Sequence, residues 1–294
     1  MTVRIASVAA ANRSRQALNW IGVIPFLLFA LLFLILPTLN IVIGAFLDID
    51  GHPTFSNIVK LFTPSIRSAF WISIELSLLT AVLGCLFGFM IAAAITFGRL
   101  PGWLRGAIVT FSGVASNFAG VPLSFAFIAT LGRLGFVTLL LRDLLGVNLY
   151  ATGFNLISFL GLAITYLYFQ IPLMVLIIMP ALEGLRHEWR EAAEILGASG
   201  SQYWRMVALP VLWPSLLGTL ALLFANAFGA VATAIALTGS SLSIAPIVLF
   251  AQIRGDVLND PHLGYAIAFA MIVLTGVANA IYIVLRMRAE RWMK

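Results

Sequence analysis

The sequence has few charged residues for its length. Asp, Glu, Lys and Arg make up 10% of the 294 residues, whereas 62% are hydrophobic. A soluble domain carries about 25% charged residues, which cover its surface. Most of the surface of this chain must therefore face an apolar medium, and lipid is the obvious one. The net charge of +6 does not indicate nucleic-acid binding, because the basic residues lie mainly between long apolar segments.

Cysteine, lysine and histidine are also scarce, and each shortage excludes a class of site. Cys85 is the only cysteine, which rules out an intrachain disulfide and a cysteine-cluster metal site. The only lysines are Lys60 and Lys294, and neither follows a glycine-rich turn, so the chain contains no P-loop for ATP. The three histidines are scattered among loops without ligand spacing. We therefore expect no metal and no cofactor, and we do not expect an enzyme.

The sequence has long apolar segments instead. A membrane-spanning helix needs ~20 mostly apolar residues. Six segments qualify, and they are apolar on all sides, which excludes the helical core of a soluble protein. They are Trp20–Phe46, Ala69–Phe97, Gly106–Leu131, Leu156–Leu182, Val207–Thr238 and Leu263–Leu285. The sequence predicts an all-α, polytopic transmembrane helix bundle with about six spans.

The positions of the basic residues predict how this bundle is oriented. With the N-terminus inside, twelve of the seventeen Lys and Arg residues lie in the inner segments. This bias places both termini in the cytoplasm of an inner (plasma) membrane protein. The apolar segment ending at Phe46 is much longer than a signal-peptide core of ~7–15 residues, so we expect a retained helix. Residues 1–19 and 287–294 would then be tails of a membrane domain spanning 20–286.

Small residues predict where helices approach closely. In the second span Gly84, Gly88 and Ala92 recur every four residues, and the fifth span has a similar series from Ala221 to Thr233. Such stripes allow two helix backbones to come near each other, but they say little about function. The apolar segment Phe136–Leu145 contains Arg142 and Asp143 and predicts a short interfacial helix.

One hydrophilic segment, 183–205, connects the fourth and fifth spans on the predicted cytoplasmic side. Residues Glu188–Leu196 predict a short helix, and Gly197 is suited to end it. Ser199 or Ser201 can cap a second helix that leads into the next span. The segment is too charged for lipid and too short to fold alone. We therefore predict a bent helical loop that is rooted on two spans.

Six residues of the longer stretch 183–210, which includes the start of the fifth span, have a fixed spacing, and they are Glu191, Ala192, Ala193, Gly197, Leu209 and Pro210. The series resembles the EAA loop of binding-protein-dependent ABC importer permeases: Glu-Ala-Ala, three residues, Gly, nine residues, Ile, one residue, Leu-Pro. Val207 replaces the Ile and is the only departure. The broader resemblance covers roughly 69–285 and implies a type I importer with a MetI-like transmembrane domain. The general look of the last three spans is closest to polyamine-type permeases.

The resemblance also implies partners. In that family the loop docks into a groove on separate ABC ATPase subunits, so Ala192 and Ala193 would form a small-residue face and Glu191 would meet a basic residue. Further expected partners are a second permease subunit, identical or homologous, an extracytoplasmic solute-binding protein and membrane lipid. Nucleic acid is not expected.

Three polar residues inside the predicted spans are candidates for the translocation path: Glu75, Asn117 and Asn226. A carboxylate at Glu75 would suit a cationic solute, but a span that begins later would leave Glu75 among the headgroups, and this second interpretation is slightly favoured. Asn117 and Asn226 are equally compatible with a cavity wall and with hydrogen bonds between helices. An alternative function is secondary transport driven by an ion gradient, which often needs a carboxylate near the midplane.

Overall fold

The computed structural model describes residues 23–98, 100–255 and 261–291. Within these ranges the chain is helical and contains no β-strand beyond an isolated bridge between Leu47 and Pro53. Six of its helical stretches are long and apolar enough to cross a membrane. The predicted all-α polytopic fold is therefore confirmed. The predicted tail 1–19 and the last three residues of the predicted tail 287–294 lie outside the described residues.

The helices are named here in chain order. They are α1 (Val23–Ala45), α2 (Ser56–Lys60), α3 (Pro64–Phe97), α4 (Gly102–Asn117), α5 (Val121–Leu131), α6 (Phe136–Leu145), α7 (Phe159–Glu183), α8 (His187–Ile195), α9 (Gly200–Phe228), α10 (Val231–Thr238), α11 (Ala245–Gly255) and α12 (Pro261–Arg291).

The described helices fall into two compact units. The first contains, within the described ranges, 23–61 and 261–269. The buried Asn57 side chain donates from Nδ2 to the carbonyl of Leu47 at 2.8 Å, and His262 Nδ1 donates to the carbonyl of Gly44 at 2.9 Å. A Cβ on Gly44 would lie 2.4 Å from the ring of Tyr265, so this contact requires glycine.

The second unit contains, within the described ranges, 62–98, 100–255 and 270–291, and α7 is its central helix. Of the apolar part of α7, 61% is buried, more than in any other spanning stretch described. The small-residue stripe of α3 packs against it. A Cβ on Gly84 would lie 2.9 Å from the Cβ of Gln170, and a Cβ on Gly88 would lie 2.5 Å from the Cβ of Met174. Because both pairs advance by four residues in the same direction, α3 and α7 run parallel.

Gly88→Leu is expected to disrupt this packing. The added side chain would meet both Met174 and the carbonyl oxygen of Ile171, 2.7 Å away, so the two helices must separate. Overpacking of a close core costs about 1–3 kcal/mol. We expect a several-fold lower yield of monodisperse protein in detergent, measured by gel filtration. Gly106→Leu is the control, because nothing lies within 4 Å of a Cβ at Gly106. Equal losses for both variants would contradict the α3–α7 contact.

Two predicted spans are interrupted. The segment Gly106–Leu131 is split between α4 and α5, and Val207–Thr238 is split between α9 and α10, so the prediction of continuous helices was wrong there. Gly120 has φ +76°, which cannot continue an α-helix, and Pro122 follows in the first turn of α5, where its missing N–H costs nothing. The third apolar stretch that qualifies as a span is accordingly Val121–Leu145, which includes α5 and α6.

Candidate coupling loop and translocation face

The turn at Gly197 connects the two helices of the 183–210 loop. Gly197 has φ +79°, as its position in the sequence predicted. Its N–H donates to the carbonyl of Glu194 at 3.0 Å, and the N–H of Ala198 donates to the carbonyl of Ala193 at 2.9 Å. These two bonds form a Schellman motif, which satisfies the last carbonyls of α8 and reverses the chain. The direction of the loop thus depends on a left-handed residue at 197.

The second helix of the loop begins with a capping box. The N–H of Gln202 donates to Ser199 Oγ at 3.3 Å, and the N–H of Ser199 donates to Gln202 Oε1 at 2.7 Å. Of the two predicted caps, Ser199 is therefore the one used. The helix passes through a π-helical turn at Trp204–Ala208 and continues as a membrane-length helix. This π-helical turn is wider than an α-helical turn and lies just before Pro210. Proline has no N–H to donate to the backbone hydrogen bonds of the helix.

The loop has a small core of its own, and this core changes the expected role of Ala193. Ala193, Tyr203 and Ala208 are buried together, with Val207 packed against them. Ala192 is exposed, whereas Ala193 is only 9% exposed. The prediction that both alanines form an open face was wrong for Ala193, because adjacent residues on a helix point about 100° apart. Ala193 supports the loop from inside, and Ala192 remains on its surface.

Two contacts hold the base of the loop against the spans. The ring of Trp204 packs edge-on against Phe97 and Phe89 of α3, at centroid distances of 5.5 and 6.3 Å. Arg105 near the start of α4 forms an ion pair with Glu183 at the end of α7. The loop is therefore attached to three helices of the membrane bundle, and a displacement of the loop would be transmitted to them.

The tip of the loop is apolar and exposed. Ile195 and Leu196 are each 86% exposed, next to the turn. Single exposed leucines are common, whereas two adjacent large side chains exposed on a charged loop form a small apolar patch. Sequence reasoning missed both residues, although the signal was present: they are the only large aliphatic pair within 186–202.

Charged residues surround this tip. Glu191 lies on the exposed face of α8, with Oε1 3.1 Å from Nδ1 of His187. Arg190 Nε donates to Glu194 Oε1 at 2.9 Å. Such exposed pairs stabilise a helix by only about 0.2–0.5 kcal/mol each, so they leave Glu191 available for another partner. Leu209 and Pro210 lie further along, in the membrane-length helix.

The three polar candidates of the spans do not form one group. Asn226 Nδ2 donates to Oε1 of Gln170 on α7 at 3.3 Å, and both asparagines, 117 and 226, are exposed on this subunit. Phe118, next to Asn117, packs against the ring of Tyr168 at 6.2 Å. Since Tyr168 and Gln170 are two residues apart on one helix, Asn117 and Asn226 lie at similar depths, within about 3 Å along α7.

Glu75 lies elsewhere. It precedes Gly84, which packs on Gln170, by nine residues of α3, so it is about 13 Å nearer the end of the bundle opposite the loop. Its side chain is exposed and makes no ion pair within the part of the chain that the structure describes. This depth agrees better with a headgroup position than with the midplane.

Side-chain hydrogen bonds join the two helix interruptions. The N–H of Gly120 donates to Thr233 Oγ1 at 2.7 Å, and Ser124 Oγ donates to the carbonyl of Thr233 at 2.9 Å. Tyr166 donates its hydroxyl to the carbonyl of Ala230 at 2.7 Å. Non-helical backbone inside a membrane bundle needs such partners or a water-filled cavity. The interruptions are therefore built features of the fold, and sequence reasoning missed them despite the Gly120–Pro122 signal.

Several proteins similar to this chain are named as sulfate permeases. The chain is 28% identical over 237 residues to a probable sulfate transport system permease protein of Nephroselmis olivacea, covering 78% of this chain and 77% of that protein. It is 26% identical over 233 residues to the sulfate transport system permease protein of Salmonella typhimurium, covering 78% and 79%. No family model matches the sequence.

Solved structures agree on the fold. The chain superposes on a chain of a bacterial ABC transporter that imports the acidic polysaccharide alginate, with a TM-score of 0.74 and 16% identity, covering 97% of this chain and 99% of that one. A chain of the MetNI methionine ABC transporter gives 0.55 and 14% identity, covering 76% and 96%. The expected closeness to polyamine-type permeases was wrong, because the named relatives carry sulfate instead.

Proposed function

Since the chain belongs to the permease subunits of ABC importers, we propose that it forms part of the translocation path for sulfate or a similar oxyanion. The 183–210 loop couples this path to a separate ATPase. The observation that carries the coupling role is the exposed pair Ile195 and Leu196 on a loop that is tied to α3, α4 and α7. Four residues of the EAA-like series lie close to that pair along the loop, namely Glu191, Ala192, Ala193 and Gly197.

Energy comes from another subunit in this proposal. The chain lacks a P-loop, so ATP has to be bound and hydrolysed by a partner. Ile195 and Leu196 bury their apolar surface in a groove of that partner, and Glu191 meets a basic residue at its edge. The loop end of the bundle then faces the cytoplasm, as the distribution of Lys and Arg predicts.

The path requires a second permease subunit. Asn117 and Asn226 are exposed on the surface of this subunit and lie at similar depths, whereas the centre of the bundle is filled by α7. A polar surface at membrane depth is costly against lipid. It becomes favourable when a second, identical or homologous permease faces it and encloses water between the two. A solute-binding protein delivers the solute at the opposite end, and a structure of the alginate importer contains such a periplasmic protein.

An oxyanion suits this face better than a cation. Asn226 keeps one amide hydrogen beyond its bond to Gln170, and a neutral amide donor can bind an anion without a counter-charge. The amide of Asn117 already donates to the carbonyl of Gly113 at 2.9 Å. Glu75, the one carboxylate inside a predicted span, lies about 13 Å away along the bundle, near the end opposite the loop. Sulfate is the named solute of the relatives, and we assign it to this chain on that basis.

The test is uptake of radiolabelled sulfate by proteoliposomes that contain the permease, its ATPase and its binding protein. We expect uptake that requires ATP and the binding protein and that persists when ionophores collapse ion gradients. Uptake by the permease alone, driven by a proton or sodium gradient, would establish the alternative of a secondary transporter. ATP-driven uptake of another solute but not of sulfate would preserve the coupling mechanism and reject the substrate.

Glu75→Gln is expected to leave sulfate uptake within about twofold of wild type. The side chain lies near the end of the bundle opposite the loop, makes no ion pair in the described ranges and carries a charge that repels the solute. Initial uptake rates in proteoliposomes provide the measurement, with permease content matched by immunoblot. A loss of tenfold or more would place Glu75 in the path and would reopen the case for a cationic solute.

A further inference from the structure

A polar cavity lies at the end of the bundle opposite the 183–210 loop. The residues that line the cavity come before the first residue of α7 in the chain, whereas the loop begins at the last residue of α7. The 25 residues of α7 separate the cavity from the loop by about 37 Å. The cavity has a volume of about 190 Å³. A single water needs only ~10–15 Å³ by the same measure, so a small polyatomic ligand fits. The wall consists of Arg133, Thr138, Leu139, Arg142, Asn148 and Tyr150.

Thr138 in this wall has an unused hydroxyl group. The residue is 5% exposed, and its Oγ1 has no hydrogen-bond partner among the described residues. Two other buried threonines return their hydroxyl to the helix: Thr165 donates to the carbonyl of Gly161 at 2.9 Å, and Thr238 to that of Ala234 at 2.8 Å. Thr138 lies near the start of α6 and makes no such bond. A buried hydroxyl without a partner destabilises the protein unless a ligand or water completes it.

Two guanidinium groups supply positive charge to the same cavity. Arg142 Nε donates to Asp143 Oδ1 at 3.0 Å, which leaves the terminal nitrogens of Arg142 for another acceptor. The guanidinium carbon of Arg133 lies 5.5 Å from the ring centroid of Tyr150, and no carboxylate of the described chain pairs with Arg133. Stacking on the ring orients the planar group without using its N–H donors.

Asn148 adds a neutral donor. Its Oδ1 accepts hydrogen bonds from the N–H of Tyr150 at 3.1 Å and the N–H of Ala151 at 3.3 Å. This turn fixes the amide and leaves its NH₂ group unengaged. The cavity therefore combines two cationic forks, one amide donor and one hydroxyl donor. Such a donor set binds the oxygens of a tetrahedral oxyanion, since each oxygen can accept a charge-assisted or neutral hydrogen bond.

We propose that this cavity is a binding site for a tetrahedral oxyanion, namely free sulfate or the phosphate of a lipid headgroup. The choice of sulfate as the free ion rests on the proposed function. The set of hydrogen-bond donors in the cavity is independent of that function. A sulfate bound here would be held before it enters the path, at the face where a binding protein releases it. Arginines at this position also raise the local concentration of a dianion by long-range attraction, which weakens with salt.

The experiment measures equilibrium binding of radiolabelled sulfate to the purified full-length chain in detergent, without ATP. Arg142→Gln and Arg133→Gln are each expected to weaken binding about tenfold or more, because each removes charge-assisted hydrogen bonds. Thr138→Val should weaken it about threefold to tenfold, since it removes one neutral donor. Arg67→Gln is the control: Arg67 is an exposed arginine near the start of α3 and does not line the cavity.

A second arm identifies the source of the oxyanion. Phospholipid that remains on the same preparations is quantified by mass spectrometry, before and after addition of anionic phosphatidylglycerol. Sulfate binding that the cavity variants lose supports a free-ion site. Loss of retained phosphatidylglycerol in the same variants, without sulfate binding, supports the site and assigns it to a headgroup.

If neither ligand binds, or if both bind equally to wild type and to the three cavity variants, the proposed site is wrong. Because the assay needs neither ATP nor transport, its failure is distinguishable from a failure of sulfate import.

Discussion

Leu196→Asp is expected to release the ATPase from the permease. Leu196 is 86% exposed at the tip of the 183–210 loop, where we place the centre of the contact. A carboxylate there must lose its water in an apolar groove without a built partner, which costs several kcal/mol. We expect less than about a tenth of the wild-type amount of ATPase to co-purify with the tagged permease.

The matched control for this variant is Leu134→Asp. Leu134 is 84% exposed but lies at the opposite end of the bundle, just before α6. The same change of chemistry should leave ATPase retention at the wild-type level. Equal retention in both variants would show that the tip does not carry the contact, and equal loss in both would indicate general misfolding.

Gly197→Val is expected to abolish uptake while the spans stay intact. The residue has φ +79°, and nothing lies within 4 Å of a Cβ at this position, so the damage arises from the backbone alone. A β-branched residue in the left-handed region costs more than the ~1–2 kcal/mol of an ordinary side chain. The Schellman turn then opens, and Ile195 and Leu196 no longer point into the groove. We expect normal membrane insertion and at least a tenfold loss of uptake.

Two further variants test whether the conformation at 197 is the cause. Gly197→Asn should recover much of the activity, because asparagine adopts the left-handed conformation more readily than other side chains. Gly200→Val should behave as wild type, since Gly200 also has open space around it but a backbone that any residue tolerates. If Gly197→Val itself imports sulfate normally, the geometry of the turn is irrelevant to coupling.

Much of this architecture could be predicted from local sequence signals. The spans follow from the length of apolar segments, and the predicted helix Phe136–Leu145 matches α6. The loop follows from the series Glu191 to Pro210, and the positive φ of Gly197 follows from the residue type at a helix end. Each of these features depends on interactions within a few residues or on lipid, so the sequence alone contains the information.

The remaining features depend on contacts between distant segments. The interruption at Gly120 is completed by Thr233, 113 residues away, and no local pattern predicts that bond. The burial of Ala193 depends on its contact with Tyr203, which lies across the turn. Ala192 has no such contact in this cluster and is exposed. The depth of Glu75 is fixed by the contact of Gly84 with Gln170, which joins two different helices. Hydropathy gives the ends of a span within several residues, which is too coarse to place one carboxylate.

Site-directed cross-linking tests the coupling claim most directly. Cys85 is the only cysteine, so Cys85→Ser provides a background in which Leu196→Cys is the one reactive thiol. Membranes that contain the permease and its ATPase are treated with a short thiol-to-amine cross-linker. We expect a product of permease and ATPase from Leu196→Cys and none from Leu134→Cys in the same background. Absence of that product at position 196, while the complex still imports sulfate with ATP, would contradict coupling through the loop.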